Sequence, residues 1–349
     1  MAEIGFGIIG CGVIAPLHIR GIKDTPGAKL VAVCDEKIDK AEKLGKEERV
    51  DYYTDYQEML KRPDLKIVCI CTPSSLHPAQ AIAAARAGKH VLSEKPMAIT
   101  LDEADKMIAT CRKNKVKLGV IFQRRAAPVF KKVKEALNNN ELGKLILGDA
   151  YIKYYRSQAY YDSASWRGTW KFDGGGALMN QCIHLIDLLQ WFMGPVETIY
   201  GYAATLARKI EVEDTSVAVL KFRNGAIGVI EGTTSVFPPT VPHRIELHGE
   251  IGSIMIEGEE IRRWVVEEGE GRFSQEKDRL AELKASGEFS SQPCDFSLGH
   301  IPQIRDMVEA IKEDREPIVN GEEGRKALEI ILAIYKSSRT GKPVRLPLR

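Results

Sequence analysis

Residues 4–15 read I-G-F-G-I-I-G-C-G-V-I-A. A short β-rich run to Ile9 leads into a glycine-rich turn, and the spacing beyond it predicts a helix reaching Lys23. Strand, glycine turn and helix in that order are the context a dinucleotide fingerprint requires. Gly10 allows the tight turn, and Gly12 lets the backbone approach a pyrophosphate. Ala15 stands where a third glycine would ease helix–strand packing, and alanine is an accepted substitute. The N-terminus of the helix that follows offers N–H groups and partial positive charge to phosphates. Glycine patterns of this kind also occur in plain turns, so the strands that follow decide the reading.

The next strand, L-V-A-V-C at 30–34, ends at Asp35. An acid there accepts hydrogen bonds from the adenosine ribose diol and repels a 2′-phosphate, which favours NAD over NADP. Lys37 works in the opposite sense. A helix over 38–46, a short strand near Tyr52 and a helix over 56–61 follow. Residues 67–71, I-V-C-I-C, are continuously apolar, as in a parallel strand covered on both faces. The strand ends in T-P-S-S-L-H at 72–77. Ligands of an open α/β sheet gather beyond the carboxyl ends of its strands, which places Thr72, Pro73, Ser74 and His77 near the cofactor. His77 reads equally well as a first-turn residue of the helix over 77–87. A strand over 90–93 then ends in Glu94-Lys95-Pro96. A residue before proline is held extended, so Lys95 points into the crevice. A nicotinamide cation there would lower its pKa. A helix over 101–114 and a strand over 117–122 complete a six-stranded pattern, from which Gln123, Arg124 and Arg125 emerge. The expectation is an NAD-binding Rossmann domain over 1–123, a doubly wound parallel sheet, followed by an α+β domain over 124–349.

From Lys144 the periodicity changes to long alternating strands, over 145–156, 196–204, 215–222, 226–234, 243–248 and 253–257. Turns such as R-N-G at 223–225 separate them. They form one large, mainly antiparallel open sheet, with a face free to pair with another subunit. Within this half lies D-G-G-G-A-L-M-N-Q-C-I-H-L-I-D-L-L-Q-W-F-M-G-P at 173–195. A helix apolar on nearly all sides is buried, yet Asn180, His184 and Asp187 share one face at i, i+4 and i+7. Buried polar groups are costly unless each finds a partner. This stripe reads as the floor of an active site, with Asp187 fixing the His184 tautomer as an orienting acid does in a triad. Asn, His and Asp also ligate metals, but metal sites bring more His, Cys or carboxylate ligands, so none is expected.

The loop Y-Y-D-S-A-S-W-R-G-T-W-K at 160–171 is rich in aromatics and cations. Tyr160, Tyr161, Trp166 and Trp170 suit ring stacking, and Arg167 suits bidentate anion binding, with Arg156, Arg124 and Arg125 converging on it. I-E-V-E-D-T at 210–215 offers Glu211 or Asp214 to sugar hydroxyls, or is only the charged start of a strand. The charged stretch 262–293 reads as loop apart from a helix over 275–285. Helices over 301–313 and 322–338 follow.

A chain of 349 residues suits two domains, each with its own core. Fifty Lys and Arg against 48 Asp and Glu leave a net charge of +2, and the absence of basic clusters argues against nucleic acid as a partner. No run approaches the roughly 18 uncharged apolar residues of a membrane span. The N-terminus lacks a signal-peptide pattern, so a cytoplasmic location is expected. The seven cysteines are odd in number and sit in apolar runs without zinc spacing, as small buried hydrophobes in a reducing compartment do.

In this order G-C-G-V-I-A, V-C-D, T-P-S-S-L-H, E-K-P and G-G-G…N-Q-C-I-H-L-I-D resemble the Gfo/Idh/MocA oxidoreductases over essentially the whole chain. The resemblance implies hydride transfer between a nicotinamide cofactor and a sugar or cyclitol hydroxyl, with Lys95 and His184 as the catalytic pair and Asn180 beside them. It implies that Gly10, Gly12, Asp35, Thr72, His77, Glu94 and Gln123 line the cofactor. Val13, Ile14, Pro73, Ser74, Lys95, Trp166 and Arg167 complete that expected set. Expected on the substrate are Lys95, Arg124, Tyr160, Arg167, Asn180 and His184. Sheet-to-sheet homodimers or homotetramers are implied as well. Y-Y-D-x-x-x-W-R-G-T-W, G-G-A-L-M-N-Q and I-E-V-E-D-T resemble the branch of UDP-N-acetylglucosaminuronate 3-dehydrogenases. The substrate implied is therefore an anionic sugar or sugar nucleotide. Many family members carry Asp where this chain has Asn180, and Asn cannot relay a proton. A free-sugar or inositol dehydrogenase, and a non-catalytic NAD-binding sensor, stand as alternatives.

Overall fold

The computed structural model describes residues 3–238, 241–268, 275–286 and 299–348. Six parallel strands form the first sheet: β1 (Ile4–Ile9), β2 (Ala28–Cys34), β3 (Asp51–Tyr53), β4 (Leu65–Ile70), β5 (His90–Ser93) and β6 (Leu118–Val120). Their order is β3-β2-β1-β4-β5-β6. This is the doubly wound dinucleotide-binding order, with its crevice where the winding reverses between β1 and β4. Phe6, Ile8, Ile67 and Cys69 are sealed in the core, as the near-continuous apolar strands of a doubly covered sheet require.

That core also takes in Ile304, Met307 and Val308 from the helix His300–Lys312, packed against the helix Ala15–Lys23. The chain accordingly divides into two compact units in a way that sequence order does not show. One comprises Met1–Ala126, Lys171–Gly174 and Asp295–Leu328; the other comprises Ala127–Trp170, Gly175–Cys294 and Glu329–Arg349. The simple division into 1–123 and 124–349 omits the returning segments. An amphipathic helix announces that one face will be buried, not which unit will bury it.

The second unit is built on nine strands: β7 (Leu145–Lys153), β8 (Val196–Ala204), β9 (Thr215–Phe222), β10 (Ile227–Thr233), β11 (Arg244–Gly249), β12 (Gly252–Glu257), β13 (Glu260–Glu268), β14 (Gln275–Asp278) and β15 (Val344–Arg345). Their order is β14-β13-β12-β11-β7-β10-β9-β8-β15, antiparallel except where β7 and β10 run parallel. Here β13 and β14 correct the expected loop. β13 reads E-I-R-R-W-V-V-E-E and buries Ile261 and Trp264 while its arginines face outward. A strand with so few inward apolar residues near a sheet edge looks like charged coil. The helix expected over 275–285 begins later, at Arg279–Ala285, where Asp278 Oδ1 accepts the Ala281 N–H at 3.0 Å.

The buried helix of residues 173–195 packs on β7 and β11. It has two parts, a π-helical turn Leu178–Cys182 and an α-helix Ile183–Met193. Such π turns are rare and often sit at functional sites. Cys11, Cys34, Cys69, Cys71, Cys111 and Cys182 are all unbridged. Among the described residues no helix is long and apolar enough to cross a membrane.

Candidate active site

The glycine turn after β1 is built for close approach. Gly10 has φ +98°, and a Cβ there would lie 2.7 Å from the carbonyl carbon and oxygen of Cys71. Only glycine fits. A Cβ on Gly12 would meet nothing within 4 Å, so no packing within the chain demands glycine there, and room is left in front of the turn. Val13, next in line, is 94% exposed at the helix start. Asp35 at the end of β2 faces the same turn: its Oδ2 accepts the Cys11 N–H at 2.8 Å and its Oδ1 the Lys37 N–H at 3.0 Å. Each oxygen keeps a lone pair for a ribose hydroxyl. These residues fit a dinucleotide.

Beyond β4 and β5 the loops are tied together. His77 Nδ1 lies 2.8 Å from the Pro96 carbonyl oxygen and its Nε2 2.8 Å from that of Thr72. Burial holds the imidazole below its ordinary pKa. A neutral imidazole carries one N–H, so it donates to one of these two carbonyls at a time, and His77 sits as a brace between the Thr72 loop and the Glu-Lys-Pro loop. It also begins the helix His77–Arg86, as its first-turn reading anticipates. Thr72 Oγ1 donates to Gln80 Oε1 at 2.6 Å, a partner nothing in the sequence singled out. Lys95 is half-buried at the end of β5. Gln123 and Arg124 lie in the 3₁₀ turn that follows β6. Arg125 is buried and paired with Glu323 at 2.8 Å.

In the second unit, Glu213 organises the helix that carries the polar stripe. Its Oε2 accepts the Gly176 N–H at 2.8 Å, its Oε1 accepts the Leu178 N–H at 2.9 Å, and its carbonyl accepts the Ala177 N–H at 3.0 Å. Tyr335 Oη donates to Oε1 at 2.8 Å. These contacts satisfy the orphan N–H groups of the helix start with a carboxyl group at the positive end of its dipole. On the helix, Asn180 is half-buried, His184 is 9% exposed and Asp187 is sealed. Sequence reasoning offered Glu211 and Asp214 and passed over the acid between them. Three glycines before a buried helix were the available signal, because N–H groups stranded there need an acid.

Asp214 is fully buried and accepts the N–H groups of Leu206, Ala207 and Arg208 at 3.0, 2.7 and 2.8 Å. Burial alone would raise its pKa, but these donors outweigh it and hold the carboxyl below its ordinary value. Asp214 is a turn cap, which removes it as a candidate for sugar hydroxyls. Glu211 is tied to Trp170: its Oε2 accepts the Trp170 N–H at 3.2 Å and its carbonyl the indole N–H at 3.0 Å.

Burial pushes the Glu213 carboxyl up to about 7, with its donors opposing. The folded state therefore holds this proton more tightly than the unfolded chain, whose value is 4.5. The corresponding stability is fully present below the unfolded value and is lost as pH rises toward 7. Denaturant midpoints should fall across that window in the native protein, and Glu213→Gln should flatten the fall; an unchanged slope would contradict this assignment.

The aromatic loop holds two cations against rings. Arg167 Nη1 donates to Tyr160 Oη at 2.6 Å, and its guanidinium lies 4.4 Å from the Tyr160 ring centre and 4.5 Å from that of Trp166. Arg156 lies 5.1 Å from the Tyr160 ring and 5.6 Å from that of Tyr154. Gln181 Nε2 donates to Tyr160 Oη at 3.2 Å, which ties the π turn to this loop. Tyr161 packs inward and shares a 2.9 Å hydrogen bond with Thr234. No carboxylate among the described residues pairs with Arg156 or Arg167, and the Nε of each is a buried donor without a partner there. Two half-buried cations held this way are complementary to an anion.

Sheet order, glycine turn and terminal acid define the class as a dinucleotide-binding Rossmann protein. Residues 4–122 match the GFO_IDH_MocA oxidoreductase family, NAD-binding Rossmann fold, and residues 134–346 match its C-terminal alpha/beta domain. The chain belongs to this family. It resembles the WlbA dehydrogenase from Bordetella pertussis, solved with NADH and UDP-GlcNAcA, at 36% identity and TM-score 0.90, covering 100% of this chain and 99% of that one. It is 30% identical to the uncharacterized oxidoreductase YrbE of Bacillus subtilis over 98% of this chain and 96% of YrbE. It is 29% identical to the myo-inositol 2-dehydrogenase of Thermotoga maritima, covering 97% of this chain and 98% of that enzyme. The chain is thus an NAD-dependent dehydrogenase of the sugar or inositol type, acting on a CH–OH group.

Proposed function

We propose that this dehydrogenase oxidises the C3 hydroxyl of UDP-N-acetylglucosaminuronate to a ketone, in the cytoplasm, as a step of sugar-nucleotide biosynthesis. The observation that carries this reading is the pair Arg156 and Arg167, half-buried cations stacked on rings and without acidic partners among the described residues. A neutral cyclitol has no use for them; a uronate or pyrophosphate does. The likeness to the Bordetella enzyme supports it.

His184 takes the hydroxyl proton as general base. Asp187, one turn on, orients the imidazole. Lys95 orients the same hydroxyl and stabilises the negative charge that develops on its oxygen. Asn180 hydrogen-bonds a neighbouring substrate hydroxyl, while Arg124, Tyr160 and Arg167 hold the anionic part. Gly10, Gly12, Val13, Ile14, Asp35, Thr72, Pro73, Ser74 and Gln123 hold the dinucleotide, with Trp166 and Arg167 extending that grip. When bound, NAD accepts the hydride that leaves the carbinol carbon. Exposed Tyr202 on β8, Val217 and Val219 on β9 and Ile227 on β10 support a homodimer or homotetramer paired through the nine-stranded sheet.

The test is a panel of UDP-sugars and free polyols incubated with NAD and followed by reduced-nicotinamide absorbance. Turnover of the UDP-uronate is expected. Turnover of inositol alone would select the second reading, favoured by the likeness to the Thermotoga enzyme. Tight NAD binding without any turnover would select a sensor. A further expectation concerns Asn180→Asp. The added anion favours protonated His184, so the acid-limb pKa of kcat/KM should rise; an unchanged or lowered limb would remove Asn180 from the neighbourhood of the base.

A further inference from the structure

Glu94, the residue before Lys95, sits in a cluster that the reaction as written does not use. Its Oε1 lies 2.9 Å from His18 Nε2 and 3.1 Å from His300 Nε2, and its Oε2 accepts the Lys95 N–H at 3.2 Å. His18, Glu94 and His300 are 0, 7 and 1% exposed. His18 comes from the helix after the glycine turn and His300 from the helix His300–Lys312; their rings meet edge-on with centroids 4.9 Å apart.

The protons can be placed. A carboxylate only accepts, so both Nε2 atoms carry hydrogen. Neither Nδ1 has a partner among the described residues. A second proton on either ring would therefore create a buried donor with nothing to bind among the described residues. Burial lowers the His18 pKa in the same sense. For Glu94, burial alone would raise the carboxyl, and the two imidazole donors outweigh it and hold it well below its ordinary value. Two imidazoles and a carboxylate at this spacing also resemble a metal site. Ligation by Nε2 would move each proton to Nδ1, and metal-bound histidines donate that proton to a second partner; none stands beside either Nδ1 among the described residues.

We propose that His18 and His300 are positioning residues for Lys95: two Nε2–H donors on separate helices fix the Glu94 carboxylate, and Glu94 fixes the main chain where Lys95 leaves β5. This rests on the catalytic role proposed above for Lys95. A buried carboxylate held by one donor retains rotational freedom. Two donors on one oxygen set its rotamer and leave the other oxygen for the Lys95 N–H. The late return of the chain to the nucleotide-binding unit thereby acquires a function, delivery of His300.

The test compares His300→Leu with His300→Gln, whose amide N–H can replace the lost donor. In His300→Leu kcat should fall by about ten- to a hundred-fold through misplacement of Lys95, with NAD affinity and near-ultraviolet circular dichroism unchanged. His300→Gln should recover most of the loss. A fall that merely tracks loss of folded protein, or Gln behaving no better than Leu, would overturn the proposal. Lys95→Met is measured beside them. Full turnover in that variant would sink the catalytic reading of Lys95, and the positioning role with it. Imidazole nitrogen chemical shifts of the ligand-free protein judge the anchor by itself. Two neutral Nε2–H rings are expected; an imidazolium, an Nδ1–H ring or a stoichiometric metal in the purified protein would overturn it.

Discussion

His184→Asn should lower kcat by about 10²–10⁴-fold, the contribution of a positioned general base, while the affinity for NAD stays unchanged. The asparagine keeps a polar group of smaller size at the site but cannot accept a proton near neutral pH. Binding of the dinucleotide is read separately because the residues proposed to hold it, Gly10, Gly12 and Asp35, lie in the other compact unit. The pH profile adds a second readout. The limb of kcat/KM that reports ionisation of the base should vanish in the variant, since nothing at position 184 then titrates. Lys95→Met should cost a comparable factor, and the double variant much less than the product of the two. Groups that act on one proton transfer are not additive. A His184→Asn enzyme with kcat near that of the native protein would remove the imidazole from the chemistry.

The second large effect is structural. Gly176→Ala should destabilise the protein by on the order of 2–6 kcal/mol, an overpacking cost plus buried hydrogen bonds left unmade. A Cβ at Gly176 would lie 1.8 Å from the Glu213 carbonyl oxygen and 2.9 Å from its carbon and from Val212 Cγ2. The obstacle is backbone, not the end of a flexible side chain, and that same oxygen accepts the Ala177 N–H at 3.0 Å. It cannot swing away without breaking the contact that starts the helix. Relief means separating the Val212–Asp214 region from residues 176–178, which takes the Glu213 carboxylate from its donors. Gly12→Ala is the control: with nothing within 4 Å of the new methyl, its stability should match the native protein. Denaturant titration of the pair decides the matter, and equal midpoints would show that the helix start tolerates what the geometry forbids.

Much of this was legible before the fold. The glycine turn, the apolar parallel strands and the acid after β2 follow from local rules, and they place the nucleotide-binding sheet correctly. The helix carrying His184 announced itself through an apolar sequence interrupted on one face. Other parts were not legible. β13 has charged residues at most of its outward positions, so its two inward apolar side chains, Ile261 and Trp264, did not read as a strand. In I-E-V-E-D-T three acids compete for one set of helix N–H groups. Composition cannot choose among them, and the structure assigns Glu213 to the helix, Asp214 to a turn and Glu211 to Trp170. Arg125, adjacent to Arg124 in sequence, is taken by Glu323.

The amino-acid order alone settled the class of fold, the dinucleotide turn and the residue types available for proton transfer. Strand periodicity, glycine conformation and proline restriction act over a few residues and need no partner. Only the tertiary structure decided which groups hold the site in place. Glu213 meets Gly176 across 37 residues, and His300 meets Glu94 across 206. Those partnerships are chosen by how the chain returns on itself. A buried carboxylate must take the donors that packing brings to it, wherever in the sequence they lie.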